Sequence, residues 1–98
     1  MENQIFLKRI FSIAKLNNTT LEHNFVLGEV ETSYFFPKLK LAIDYIEDGH
    51  QHTDAYFEFA KKKEILAQLG IYYVLVESFD VENRLQEIEQ IVKQITRK

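Results

Sequence analysis

Residues 39–46 read LKLAIDYI and residues 71–77 read IYYVLVE; between them lie a charged turn, EDGHQHTD (47–54), and a helix-length segment that stops at Gly70. In the first stretch Leu39, Leu41, Ile43 and Tyr45 alternate with Lys40, Ala42, Asp44 and Ile46, the period of a strand, with Asp44 near its C-terminal end. The second stretch is apolar without alternation, which suits a strand of a parallel sheet buried on both faces. The intervening residues 54–69 read as a helix, with Thr53 or Asp54 as N-cap and Gly70 just past the C-terminus. Tyr56, Phe59, Ala60, Leu66 and Leu69 are its expected inner face, and Lys61, Lys62, Lys63 and Glu64 its exposed side. Strand, helix, strand with short joints is a βαβ unit.

Working outward, residues 2–16 predict a helix, with Ile5, Phe6, Ile10, Phe11, Ile13 and Ala14 on its apolar sector and Asn17-Asn18 ending it. Residues 24–36 are β-rich. Phe25, Leu27 and Val30 set a strand, Tyr34, Phe35 and Phe36 continue or re-enter the sheet, and Pro37 suits a turn or edge. Glu29, Glu31 and Ser33, two apart, share one face of an extended chain. Residues 80–96 predict a closing helix, with Asp80 as N-cap and Val81, Leu85, Ile88, Val92 and Ile95 as its stripe. The order is α-β-β-β-α-β-α. This is an α/β fold (an α+β mixed sheet) in a single domain over residues 1–98.

With 98 residues, 46% apolar and 28% charged, the composition is that of one small globular domain. The absence of cysteine excludes a disulfide framework, a zinc-thiolate site and a cysteine nucleophile. No apolar run approaches the ~20 residues of a membrane span, and the opening MENQIFLKRIF lacks the pattern of a secretory signal, so a cytoplasmic location is expected. Twelve basic against fifteen acidic residues leave a net charge of −3, which excludes a strongly basic nucleic-acid coat but not a local patch. A domain this small buries a modest core, so a homodimer would add stability.

Polar chemistry gathers at Asp44, Glu47, Asp48, His50, His52 and Asp54. Carboxylates beyond the carboxyl end of a strand suit Mg²⁺ or Mn²⁺, and imidazoles beside them can move protons near neutral pH. The same residues also suit a solvated acidic turn. Lys38, Lys40, Lys61, Lys62 and Lys63 are candidates for phosphate contacts or, equally, a solvated surface. Tyr34-Phe35-Phe36 and Tyr72-Tyr73 suit core packing better than base stacking. There is no glycine-rich phosphate loop and no nucleophile elbow.

The element order, with TSYFFPKLKLAID, EDGHQH and KKKEILAQLGIYYVLVES in sequence, resembles the PD-(D/E)XK nuclease superfamily, in particular its small domains related to very-short-patch-repair endonucleases. The resemblance covers nearly all of residues 2–96 and implies a restriction-endonuclease-like core and metal-dependent phosphodiester hydrolysis of DNA. Asp44 matches the second acid of the motif, and Gly49 and His52 the glycine and histidine that follow it. The first acid falls on Ser33, and Ile46 stands where a lysine or polar residue is usual. Glu31, Glu47 or Asp48 would then complete the Mg²⁺ or Mn²⁺ site. The implied set is Asp44, His52 and Glu47 for catalysis and Asp44, Glu31 and Asp48 for metal. The alternative is a catalytically inactive, nuclease-derived module that binds nucleic acid or a protein partner.

Overall fold

The structure, a computed structural model, describes residues 4–46 and 57–96, with the backbone alone at 53–56. Its elements are α1 (Gln4–Leu16), β1 (Glu22–Leu27), β2 (Val30–Phe36), β3 (Leu41–Ile46), α2 (Thr53–Gln68), β4 (Tyr72–Glu77), a single 3₁₀ turn (Ser78–Asp80) and α3 (Val81–Thr96). The order is the one expected from the sequence. The strands form one sheet, β1-β2-β3-β4, with the first three antiparallel and β3 parallel to β4. The register Leu41↔Tyr72 through Ile46↔Glu77 sets Asp44 beside Leu75.

Both helix ends that feed the sheet close by the same device. Gly70, at φ 77°, lets the Ile71 N–H reach the Leu66 carbonyl at 2.8 Å and the Gly70 N–H reach that of Ala67 at 3.0 Å. This double bond pattern caps orphan carbonyls, and Leu66 and Ile71 meet in the core as the motif requires. Asn18, at φ 52°, does the same for α1 through Thr19 N–H to Ala14 and Asn18 N–H to Lys15. Asparagine tolerates that backbone better than other non-glycine residues.

The two faces of the sheet bury different sets. On one, Phe6, Ile10, Ile13 and Ala14 of α1 and Leu85, Ile88 and Val92 of α3 pack on Tyr34, Phe36, Leu41, Ile43, Val74 and Val76. On the other, α2 lays Leu66 and Phe59 on Phe35, Ala42, Ile71 and Tyr73. The alternation of β3 decides this split: Leu41 and Ile43 go one way, Ala42 the other.

Several expectations need correction. Ile5 (71% exposed) and Phe11 (43%) lie off the buried stripe of α1, which is Phe6, Ile10, Ile13 and Ala14. In α2 the inner face is narrower than the sequence implies, since Ala60 and Leu69 are exposed. The side chains of Tyr56, Thr53 and Asp54 lie outside the described residues. Asp80 stands where it is expected, directly before α3, and also closes the 3₁₀ turn; its carboxylate accepts from Asn83 Nδ2 at 2.8 Å and pairs with Arg84. The β-rich chain 24–36 is a hairpin, giving the two strands that the element order requires, with Gly28 (φ 62°) at the first turn position between Leu27 and Val30.

Candidate functional site

Asp44 is the one acid buried among the described residues, at 5% exposure. It points from β3 to the α2 face, as Ala42 does two residues earlier. A carboxylate there needs donors, and it has four. Oδ1 accepts the Ser33 backbone N–H at 2.8 Å and the Ser33 hydroxyl at 3.2 Å. Oδ2 accepts the Tyr73 hydroxyl at 2.7 Å and the Lys62 ammonium at 2.8 Å. Burial, then the negative charge of Asp44, then the hydrogen bond push the Tyr73 phenol well above the ordinary tyrosine range, so it stays protonated and donating.

The backbone explains why Asp44 can claim Ser33. The β2–β3 pairs run from Phe36↔Leu41 to Tyr34↔Ile43. At the next step the Ser33 N–H goes to the Asp44 side chain. Strand β2 also changes face here: Val30 and Phe35 share the α2-side core although five residues separate them, an odd step that regular alternation forbids. Opposite, Asn24 of β1 sits at φ 55°. The kink opens a cavity of about 190 Å³ lined by Asn24, Glu31, Thr32, Ser33, Asp44 and Lys62.

Lys62 comes from α2. It lies between Phe59 and Leu66 on the helix's inward stripe, three and four residues from each, and its ammonium stands 5.5 Å from the Phe59 ring centroid. Of the three consecutive lysines it alone turns inward; Lys61 and Lys63 are exposed. The solvated face read for all three therefore holds for two.

Of the residues singled out in the sequence, the structure brings Asp44, Glu31 and Lys62 to one cavity. Lys38 and Lys40 are exposed at the β2–β3 turn, at the other end of β3 from Asp44, and Lys63 lines a different groove. Glu47, Asp48, His50 and His52 lie outside the described residues. For Tyr73 the sequence favours core packing over base stacking; the signal for its hydrogen bond to Asp44 is a tyrosine beside Ala42 in a parallel register, within reach of Asp44. Tyr34 is fully buried and carries His23 stacked at 5.1 Å, so it is core, whereas Tyr72 is 55% exposed.

Among the described residues no group of three histidines, cysteines or acids is placed to hold a metal. Apart from Lys62, each side chain around the cavity bears an oxygen: the Asp44 and Glu31 carboxylates, the Ser33 and Thr32 hydroxyls and the Asn24 amide. Magnesium is held in this way, by one or two carboxylates, with waters and substrate phosphate completing its shell. Lys62 already places a positive charge against Oδ2. The two carboxylates and the hydroxyls are donors of the kind a hard divalent ion takes.

No protein-family model matches the chain, and no curated protein matches it. The catalytic domain of the homing endonuclease I-Bth0305I matches in structure, with a TM-score of 0.66 over 91% of this chain and 90% of that one, at 15% identity. At that identity the likeness is one of fold. No helix among the described residues is long and apolar enough to cross a membrane.

Proposed function

We propose that the protein is a small nuclease of PD-(D/E)XK type that hydrolyses phosphodiester bonds of DNA, using Asp44 as its principal acid. The observation behind this reading is the convergence of Asp44, Glu31 and Lys62 on one cavity of an endonuclease-like fold. It supplies the two roles that Ser33 and Ile46 vacate. Glu31 takes the part of the first acid. Lys62, from the helix, takes the part of the lysine missing at position 46.

Asp44 and Glu31 would hold Mg²⁺ or Mn²⁺, with Glu47 and Asp48 as further candidates. The ion would supply Lewis-acid polarisation of a phosphoryl oxygen and a more acidic bound water. Ser33 and Tyr73 hold the Asp44 carboxylate in one orientation from both sides. Lys62 leaves Oδ2 and offers its ammonium to phosphate or to the attacking oxygen. His52 is the candidate for moving a proton.

A second reading has its own support. Every acceptor position of Asp44 is filled by a protein donor, as in a structural ion pair. On that reading the fold persists without chemistry, and the surface binds nucleic acid or a protein.

Calorimetric titration of Mn²⁺ and Mg²⁺ into the wild type and Asp44→Asn, paired with cleavage of single- and double-stranded DNA, separates the two. The nuclease reading expects metal binding that is lost in Asp44→Asn and cleavage that falls at least about 10²-fold. Cleavage unchanged in Asp44→Asn overturns it. Neither binding nor cleavage by the wild type leaves the binding module as the better account.

A further inference from the structure

The sheet ends at β4, and no described strand pairs with its outer edge. Tyr72 directs its N–H inward, to the Lys40 carbonyl at 2.9 Å. Parallel pairing alternates, so Tyr72, Val74 and Val76 face β3, while Tyr73, Leu75 and Glu77 present both N–H and C=O to the open side. The edge carries none of the usual protections: no proline, no lysine and no bulge within YYVLVE. It forms the floor of a groove of about 300 Å³ between α2 and α3, bordered by Phe59 and Lys63 on one side and Arg84 and Glu87 on the other.

We propose that this edge is completed by a second copy of the chain, β4 against β4 antiparallel, giving one eight-stranded sheet across a two-fold axis. The outward-facing residues fix the register. Tyr73, Leu75 and Glu77 can meet Glu77, Leu75 and Tyr73 of the partner, which places Leu75 on the axis facing its own copy and makes about six main-chain hydrogen bonds. The partly buried Leu75 side chains close over each other, and Val74 meets Val76 on the opposite face.

Charge complementarity selects a second copy over an unrelated strand. The groove carries two cations, Lys63 and Arg84, and two anions, Glu77 and Glu87, a self-complementary set. Arg84 and Glu87 already pair within the chain at 3.0 Å. In the proposed register Glu77 falls opposite Tyr73 of the partner, beside which the partner's helix carries its own Lys63. The two remaining charges thus satisfy each other across the axis, twice.

This inference goes beyond the phosphodiester reading, and its test needs neither substrate nor metal. Sedimentation equilibrium of the full chain, taken up to about 500 µM, gives the dimer constant. Leu75→Pro removes an outward N–H that β3 does not use, so the proposed pairing predicts a folded monomer. Lys63→Glu and Glu77→Lys should each weaken the dimer about tenfold, and the double exchange should restore it. A wild type that stays monomeric throughout overturns the proposal. So does a dimer whose constant is the same in Leu75→Pro and in both charge variants. If Leu75→Pro fails to fold by circular dichroism, the charge exchange decides alone.

Discussion

Lys62 and Asp44 lie 18 residues apart in the chain and 2.8 Å apart in space, one from a helix and one from a strand. The lysine side chain is 26% exposed and the aspartate 7%, so the pair is shielded enough for its loss to be measured. Lys62→Met keeps most of the stem on Phe59 while removing the charge, and is expected to cost about 1–3 kcal/mol. Asp44→Asn is expected to cost more, about 3–5 kcal/mol, because the Lys62 ammonium loses its only carboxylate among the described residues. Urea denaturation of both single variants and the double variant tests this. A coupling below about 0.5 kcal/mol would show the pair to be energetically idle.

Ser33→Asp sets a second acid against Asp44 Oδ1, where the serine now donates twice. Two close carboxylates repel, and a donor is lost. In metal-free buffer the variant should be less stable by about 1–3 kcal/mol. Millimolar Mg²⁺ should recover part of that loss, because a cation binding only the folded state stabilises it by mass action. Urea midpoints with and without Mg²⁺ are the readout, and equal midpoints would count against a cation site here.

Tyr73 gives an alkaline signature. Its folded-state pKa lies above the ordinary value of 10.0, with burial as the main cause. The unfolded chain therefore releases this proton first, and the folded state binds more protons above that pH. The contribution is whole below pH 10 and is lost as pH rises beyond it. Stability should fall between about pH 10 and 11 in the wild type and fall less steeply in Tyr73→Phe. At neutral pH the phenylalanine variant should lose about 1–2 kcal/mol, the worth of a hydrogen bond to a charged acceptor.

Leu66 is almost fully buried at the C-terminal end of α2, one turn beyond Lys62. Leu66→Ala is expected to cost about 2–5 kcal/mol. It should also loosen the seating of α2, seen as faster amide exchange in α2 than in α1. Uniform exchange across both helices would mean that α2 is held by something other than this contact.

Most of the fold is legible in the sequence. The strand period of residues 41–46 and the apolar run of β4 carry through to the sheet, because both patterns report burial directly. Gly70 marked a helix end for a reason the backbone confirms, a φ of 77°. Asp44 stood out as an acid in an apolar strand. Its partners were harder to see. Three lysines in a row look alike in sequence, and only the phase set by Phe59 and Leu66 picks Lys62. The kink at Ser33 left no periodic trace either, since it replaces backbone pairing by a side-chain bond. The exposure of Ala60 and Leu69 was missed because helix spacing gives a sector, not its width.

Two of the partners of Asp44, Lys62 and Tyr73, are 18 and 29 residues away along the chain. Contacts of such separation require loops to close first, so they form late in folding. The α1 helix and the β1–β2 hairpin can appear from local interactions alone. The acid cannot be covered until β4 has docked and Tyr73 has arrived. In kinetic terms the site belongs to the last cooperative step. Substitutions at Lys62 or Tyr73 should therefore act mainly on the unfolding rate and leave the folding rate nearly untouched.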